Sequence, residues 1–422
     1  MNSDKMDQTV SLNGATSTSV LWWERADRRY ENGRLRFGRE DLESLSRAAG
    51  SPTYVFHGGR VLANLQRLLD ALEKQPLSTR VRFAVKANRN QPLLAALRAS
   101  GKVGIDTCSP REILLARQVG FPEKDISFTA TAVSPGDIDC LARHPDVWVN
   151  CDSLSMIRRL AAASPRREVG IRINPGVGVG YHNDAMLQYG GPATTKFGIY
   201  RDRFEEALDA AADCGLRVGG LHFHIGIGYL NPQLEVWEEA LKRSLWFLET
   251  ARKKGLDIHL VNIGGGLGVP LTSDDAPLDL ERWSELVSRY FRGQNLMVEV
   301  EPGAYLVRDA GALLLQVNTI ERKESTLFVG VDGGYNIHIE PSLFHMPLEP
   351  VPTLSPTADA DCHFATVVGN INEAMDILAE NVKLPTTLQE GDYLAFLNAG
   401  AYGAAIVSDH CLRGVFSEYY IP

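Results

Sequence analysis

A lysine that directly follows a hydrophobic strand is the first candidate for a reactive side chain. The stretch FAVKANRN, residues 83–90, places Lys86 directly after the apolar residues Phe83, Ala84 and Val85. In a parallel α/β barrel, chemistry takes place at the carboxyl ends of the strands, so Lys86 would project into the barrel mouth. Partial burial there would lower the pKa of its amine and favour Schiff-base formation with an aldehyde. A surface lysine just beyond a strand end is the alternative interpretation.

Three further strand ends carry groups that suit a phosphorylated, cationic ring. LHFHIGIG places His222 and His224 on one face of a strand, and NIGGGLG places glycines at 264–266. A glycine-rich turn presents backbone N–H groups to an anion. Glu301 ends the strand in EVEPG, where a buried carboxylate needs a partner such as a protonated ring nitrogen. Together with Lys86, these groups meet the requirements of pyridoxal 5′-phosphate.

Other interpretations of these residues stay open. His222 and His224 form a possible metal pair because alternate strand residues share a face, but no third ligand has metal spacing, and we predict no metal. The glycine run is also compatible with a simple turn.

The elements that must position these residues alternate between strand and helix. Helical spacing is seen in PLLAALRAS, in PREILLARQVG and in DRFEEALDAAADCG, where Asp202 is the predicted N-cap and Gly215 the stop. Eight such alternations favour a parallel (β/α)₈ TIM barrel over residues 56–304. The eight apolar strand candidates begin at residues 81, 103, 125, 147, 169, 218, 258 and 296.

The remaining chain predicts a second, β-rich domain. After residue 305, strand-like runs follow one another without regular helices, and RLRFG and PTYVFH near the N-terminus are also strand-like. We therefore predict a discontinuous all-β barrel or sandwich domain formed by residues 21–55 and 305–422. Residues 1–20 are polar and rich in Ser and Thr, which predicts a disordered tail rather than a signal peptide.

Composition narrows the function classes. The net charge of −9 and the lack of a basic cluster argue against binding to nucleic acid. No run of about 18 apolar residues is present, so no membrane span is predicted. The six cysteines have no CxxC spacing, which is typical of reduced thiols in the cytoplasm.

Nine short motifs together make the chain resemble the fold-type III pyridoxal-phosphate-dependent decarboxylases, the family of diaminopimelate and ornithine decarboxylases. FAVKAN, GIDTCSPREI, INPG, TKFGI, HFHIG, GGGLG, EPG, DGG and NAGAYG occur in the family's order, from about residue 35 to the C-terminus. The resemblance implies an alanine racemase-like barrel with a β-domain. It also implies a homodimer with shared active sites and a small-molecule amino-acid substrate.

The same resemblance implies roles for the matching residues. Lys86 would hold the aldehyde of the cofactor, His224 would stack on its ring, and Glu301 would pair with its ring nitrogen. The other residues expected around the cofactor are Asp106, Arg172, Gly264, Gly265, Gly266 and Tyr402.

One loop departs from the family at its proton donor. The family has a cysteine there, thought to reprotonate the substrate Cα across the dimer interface, whereas GNINEAMD has Asn372. An amide is not a usable general acid, so another group or water must supply that proton. Glu373 and Asp376 remain, and we predict that both contact the substrate together with Asn372. The family's phosphate-binding serine is replaced by Ile227.

Two further departures concern the distal end of the substrate. EPGR has become EPGA, with Ala304, and the RPALY-like motif of diaminopimelate decarboxylases reads EPSLF, with Glu340 and Phe344. Arginines at these two positions suit a distal carboxylate, whereas Glu340 would repel one. We therefore predict a substrate other than meso-diaminopimelate, with a cationic, neutral or bulky distal end. The alternative is a shifted loop in which Glu340 faces solvent.

These observations favour a pyridoxal-phosphate-dependent decarboxylase of an amino acid or amino-acid conjugate. Asn372 leaves room for decarboxylation that ends in transamination, and for a racemase or epimerase. A non-catalytic regulatory homologue and a metal-dependent barrel enzyme are the remaining alternatives.

Overall fold

A computed structural model describes residues 21–191, 193–356 and 361–422 of the 422-residue chain. The N-terminal tail, for which the sequence predicts disorder over residues 1–20, lies outside these ranges.

Eight parallel strands close into a barrel, as predicted. They are mostly buried apolar runs, because helices cover their outer face and side chains fill the interior. The first strand pairs with the second, where Ala84 lies opposite Asp106, and with the eighth, where Val81 lies opposite Val300. In chain order the strands are Ser78–Ala84, Gly104–Thr107, Ile126–Thr129, Trp148–Cys151, Glu168–Arg172, Arg217–His222, Leu260–Asn262 and Met297–Val300.

The helices around the barrel begin with recognisable caps. Ser109 accepts a hydrogen bond from the Glu112 N–H, and Pro110 occupies the first turn, where a missing N–H has no cost. In chain order the helices are Gly58–Glu73, Gln91–Ala99, Pro110–Val119, Pro135–Arg143, Leu154–Ala163, Phe204–Asp213, Leu234–Lys253 and Leu280–Phe291.

The predicted N-cap of the sixth helix is wrong. Asp202 lies inside a 3₁₀ turn, Arg201–Arg203, and the α-helix begins only at Phe204, after Arg203, which provides no side-chain cap. The helix ends at Asp213, and Gly215 follows with φ +79°, in agreement with the predicted stop.

Sheet pairing joins the N-terminal segment to the C-terminal part of the chain. Strand Thr53–His57 pairs antiparallel with Gly311–Lys323 and parallel with Ser417–Ile421. This arrangement confirms the predicted barrel with a separate β-rich domain, while the division at residues 55/56 and 304/305 stays a prediction. The other strands of this region are Thr326–Val331, Glu349–Pro352, Cys362–Val368, Ile377–Pro385 and Tyr393–Leu397.

Smaller elements complete the described chain. A three-stranded sheet, Arg28–Glu31, Arg34–Phe37 and Glu40–Asp41, precedes helix Leu42–Ala49. Two-residue strands, Val179–Gly180 and Gly226–Ile227, pair above the barrel, and short helices lie at Ala304–Val307 and Glu340–Phe344. Within the described ranges, no helix has the length and apolar character that crossing a bilayer requires.

Candidate active site

A cavity opens at the carboxyl ends of the barrel strands. Half of its lining residues end these strands or follow them within two positions, so the barrel topology brings them together. Tyr402 enters from the β-rich domain, and its N–H donates to the Ala87 carbonyl oxygen at 2.9 Å, beside the lysine turn. The cavity is lined by Ala84, Lys86, Asp106, Thr129, Arg172, His222, His224, Ile227, Gly265, Gly266, Glu301, Gly303, Ala304 and Tyr402.

Lys86 lies in a tight turn, Val85–Ala87, directly after the first strand. Because Ala84 pairs with Asp106, the strand register brings Lys86 toward Cys108, two residues further along each chain segment. Its pKa is raised well above the usual value, because the negative charge of Cys108 as a thiolate, and then those of Tyr402 and Asp106, outweigh the opposing effect of burial. Burial acts in the expected direction, but the net shift is opposite to the predicted one. In the protein alone, the amine is held protonated.

Two buried carboxylates face the same cavity. Glu301 accepts a hydrogen bond from Asn262 Nδ2 at 2.6 Å, and its other oxygen lies 3.0 Å from His222 Nε2. Burial raises the pKa of Glu301 to about 7, and burial together with Glu301 raises the pKa of Asp106 to about 7. Both values mean that the cations nearby do not fully compensate the burial of two negative charges. The cavity therefore favours a ligand that brings a positive charge.

Both histidines of HFHIG are held neutral. Burial and the Arg172 charge lower the pKa of His222 to about 3, and burial and the Lys86 charge lower that of His224 well below its usual value. The Gly265 N–H donates to His224 Nδ1 at 3.3 Å, and the Tyr189 ring centroid lies 4.8 Å from the imidazole centroid. His224 therefore offers the cavity an uncharged, fixed aromatic face.

The glycine turn approaches neighbouring backbone too closely for any side chain. A Cβ at Gly265 would lie 2.0 Å from the Glu301 carbonyl oxygen, and one at Gly266 would lie 2.2 Å from the Gly226 carbonyl oxygen. Asn262 fixes the start of the turn, because its side-chain oxygen accepts the Gly264 N–H at 2.8 Å. The same Asn262 side chain also donates to Glu301, so it ties the turn to the carboxylate.

Arg172 and Ile227 occupy the cavity walls as the sequence suggests. The Arg172 guanidinium lies 3.3 Å from Asp152 and 4.7 Å from the centroid of the Phe197 ring. Its charge is thus partly compensated on the side that faces away from the cavity.

The predicted loop residues do not reach this cavity within one chain. Asn372 and Glu373 are exposed, and Glu373 lies 3.2 Å from His410 Nε2. Asp376 is buried, and its two oxygens accept the backbone N–H groups of Tyr335 at 2.6 Å and Ile371 at 2.7 Å. Asp376 therefore holds the loop in shape.

The solvent-facing alternative for Glu340 is wrong, and its predicted contact with the substrate stays a prediction. Glu340 neither faces solvent nor presents an unpaired negative charge, because it is 2% exposed and forms two hydrogen bonds of 2.6 Å with Arg308. Arg308 is equally buried and lies four residues after Ala304, within the next turn of chain. Phe344, at the end of the same short helix, is half-buried against the apolar core.

Several residues of the site escaped the sequence prediction. His222 contacts Glu301 directly, a role that the HxH pattern did not assign to it. Asn262, just before the glycine turn, joins two predicted elements. Arg308 was missed because its partner Glu340 is distant in sequence, and the pairing cannot be read from spacing.

Comparison with known proteins agrees with this geometry. Residues 59–308 match the pyridoxal binding domain of the pyridoxal-dependent decarboxylases. A diaminopimelate decarboxylase of Methanothermobacter thermautotrophicus is 33% identical over 397 residues, which cover 91% of this chain and 89% of the relative. One from Zymomonas mobilis is 30% identical and covers 93% and 92%, respectively.

Solved structures share the fold over nearly the whole chain. AQ1208 from Aquifex aeolicus is 26% identical, with a TM-score of 0.83 and coverage of 94% of this chain and 92% of that one. A diaminopimelate decarboxylase from M. jannaschii in complex with L-lysine has a TM-score of 0.84 and covers 94% of each chain. Its identity is 23%, so it shows the likeness of fold alone.

Proposed function

Because the chain belongs to the family of pyridoxal-dependent decarboxylases, with pyridoxal 5′-phosphate as its cofactor, we propose that it decarboxylates an amino acid or amino-acid conjugate that lacks a free distal carboxylate. That the chain is an amino-acid decarboxylase follows from the family. The choice of substrate is the new part of the proposal. Its main support is the buried ion pair between Arg308 and Glu340.

The residues of the cavity fit this cofactor. Glu301 and Asp106 are buried carboxylates with raised pKa values, and a cationic ring nitrogen would supply the charge that they lack. Lys86 would hold the aldehyde carbon, and the phosphate would lie against the glycine turn at residues 264–266, in which the Gly264 and Gly265 N–H groups donate to Asn262 and His224. When bound, the cofactor accepts the electron pair that remains at Cα after loss of CO₂.

The chain's own residues set the electrostatics of that reaction. Glu301 keeps a proton on the ring nitrogen, and His222 and Asn262 orient its two oxygens. Neutral His224 provides a flat surface that does not oppose the ring's positive charge. In the protein alone the Lys86 amine has a raised pKa, so Lys86 would serve as a proton donor near the substrate Cα, a role that the amide of Asn372 cannot fill.

The choice of substrate depends on the distal wall, which is formed by Ala304 and lies next to the ion pair between Arg308 and Glu340. Ala304 lines the cavity at the position where the family motif has an arginine, and it has no polar atom for a carboxylate. Arg308, the arginine nearest along the chain, is occupied at both terminal nitrogens by both oxygens of Glu340. Freeing it would leave an unpaired buried carboxylate, which typically costs 3–5 kcal/mol. A distal carboxylate therefore gains little at this wall.

We also propose a homodimer in which each cavity is completed by the partner's loop at residues 370–376. Asn372 and Glu373 are exposed away from their own cavity, and Met375, Leu412 and Val415 form exposed apolar surface around this region. Coexpression of Lys86→Ala and Glu373→Arg subunits tests this arrangement. If the loop acts on the partner's cavity, mixed dimers regain one intact site, whereas a loop that acts within its own chain gives no recovery.

Location in the cytoplasm is part of the same proposal. Cys108, Cys140, Cys151, Cys214 and Cys411 carry free thiols, which suits a reducing compartment. Fractionation of the source cells, followed by immunodetection, tests it.

Separate measurement of CO₂, amine and carbonyl products from a panel of α-amino acids tests the reaction. Decarboxylation gives CO₂ and amine in equal amounts, with meso-diaminopimelate among the poorest substrates. A carbonyl product in place of the amine indicates decarboxylation with transamination. Isomerised substrate without CO₂ would contradict the proposal and indicate a racemase or epimerase.

A further inference from the structure

A second cavity of about 190 Å³ lies behind the active site, between the N-terminal segment and the barrel. Four arginines line it, Arg25, Arg28, Arg60 and Arg67, against two carboxylates, Glu24 and Asp309. We refer to it as the arginine cavity. It shares no lining residue with the cavity that contains Lys86.

Two of the arginines are fully engaged with carboxylates. Asp309 lies 3.3 Å from Arg25 Nη1 and 2.5 Å from Arg60 Nη2, and it also accepts a hydrogen bond from Asn64 Nδ2 at 2.7 Å. Arg25 has a second partner in Asp27, at 2.5 Å. Asp309 is thus shared by two guanidinium groups and one amide, and it makes no direct contact with Arg28.

Arg28 is buried without such a partner. It is 2% exposed, and its Nε and Nη2 donate only to the Trp23 carbonyl oxygen, at 3.3 and 3.2 Å. Its Nη1 has no hydrogen-bond partner, and no carboxylate in the described chain lies within 4 Å of the guanidinium. Burial and the charge of Arg25 lower its pKa to about 9. A buried cation with an unused donor is costly unless an anion satisfies it.

Arg67 adds a second unpaired charge on the same cavity. Its Nη2 donates to Asn64 Oδ1 at 2.6 Å, and it forms no ion pair among the residues described. The remaining walls are largely apolar and include Trp22, Pro277 and Leu280.

We propose that the arginine cavity binds a small organic anion through a carboxylate or phosphate group. Arg28 and Arg67 bind the anionic group, since a guanidinium matches either oxyanion with paired donors. The apolar part of the ligand packs against Trp22 and Leu280. This proposal does not depend on the identity of the amino-acid substrate.

The position of the arginine cavity places such a ligand next to three active-site segments. Val269 follows the phosphate-binding glycines, and Tyr305 follows Glu301 by four residues. Asn398 precedes Tyr402 by four residues, and its side chain donates to the Pro270 carbonyl oxygen at 3.3 Å. The ligand would therefore contact the outer side of the segments that hold the cofactor.

Isothermal titration calorimetry of the holoenzyme with inorganic phosphate, and separately with benzoate, tests the proposal at constant ionic strength. Occupation of the active site by the cofactor keeps its own phosphate position filled. Saturable binding of either probe is expected, and the probe that binds tells phosphate from carboxylate ligands. Arg28→Gln should weaken binding at least tenfold, whereas the adjacent exposed Arg29→Gln should not change it.

A second variant covers the case in which Arg28→Gln does not fold. Leu280→Glu places a carboxylate in the cavity at the first turn of a helix, where acidic residues are favourable. This internal anion should abolish binding of the probe and leave the visible spectrum of the cofactor unchanged. Failure of both probes to bind the wild type would overturn the proposal, as would binding unaffected by Leu280→Glu.

Discussion

The two ends of the active-site cavity treat charge in opposite ways. At the cofactor end, Asp106 and Glu301 are buried with raised pKa values, so their negative charges are incompletely satisfied. At the distal wall, the lining residue Ala304 is followed four positions later by Arg308, and Arg308 and Glu340, which do not themselves line the cavity, satisfy each other through two hydrogen bonds. A buried charge without a full partner favours binding of a ligand with the opposite charge, so such charges often mark binding sites. The cofactor end is thus prepared for a charged partner, and the distal wall is not.

The largest effect is expected at the cofactor end. Lys86→Ala removes the amine that we propose holds the cofactor, and turnover should fall by at least roughly 1,000-fold. Visible absorbance of the purified protein should disappear with it, whereas the exposed Lys102→Ala should keep both. Activity within tenfold of wild type would show that another amine performs this role.

The next effect concerns the distal wall. Glu340→Ala leaves Arg308 buried and unpaired, so the free energy of unfolding should fall by roughly 3–5 kcal/mol. The double variant Arg308→Met, Glu340→Met should recover most of this loss, because it removes both charges at similar volume. Urea denaturation measures all three proteins. Equal losses in the single and double variants would mean that packing, and not charge, dominates at this wall.

In the cofactor-free protein, the free energy of unfolding should depend on pH through Glu301 at the cofactor end. The folded pKa of Glu301, about 7, is raised above its unfolded value, so the folded state binds more protons between pH 4.5 and 7. The Glu301 contribution to the free energy of unfolding therefore falls as pH rises through that window, by roughly 3 kcal/mol.

Glu301→Gln should flatten this dependence, and the exposed Glu285→Gln should not. Addition of cofactor to the wild type should flatten it as well, since the ring supplies the missing positive charge. An unchanged pH profile in Glu301→Gln would show that this carboxylate does not carry the raised pKa.

The smallest effect is expected at the loop that carries Asn372. Asp376→Asn replaces one of two acceptors by an NH₂ group that faces a backbone N–H, so the free energy of unfolding should fall by roughly 1–3 kcal/mol. The exposed Asp146→Asn is the matched control. An unchanged midpoint in thermal unfolding would mean that Asp376 does not hold the loop.

The two ends also differ in how far the sequence predicts them. At the cofactor end, each side chain follows a strand end, so strand periodicity and barrel topology together place Lys86, His224 and Glu301 in one cavity. At the distal wall, the decisive contact joins Arg308 to Glu340, which belong to separate elements. Sequence identifies Glu340 as a charge reversal but gives no information on its partner, so the predicted repulsion did not take the ion pair with Arg308 into account.

Two smaller features, a helix start and the pKa of Lys86, were also mispredicted from local sequence. Asp202 is a good N-cap residue, but a 3₁₀ turn precedes the helix and moves its start to Phe204. The Lys86 pKa depends on Cys108, which the strand register brings close. Both depend on three-dimensional neighbours, whereas the barrel depends on a repeated pattern.

The most direct test of the account compares meso-diaminopimelate with D- and L-lysine as substrates of the holoenzyme. Lysine differs from diaminopimelate only by the absence of the distal carboxylate, so the ratio of kcat/KM values isolates the contribution of that group. We predict a ratio, diaminopimelate over the better lysine enantiomer, of one or less, because Arg308, the cation beside the distal wall, is already paired with Glu340. A ratio of about 100 or more in favour of diaminopimelate, equivalent to roughly 3 kcal/mol of binding to the carboxylate, would contradict the account.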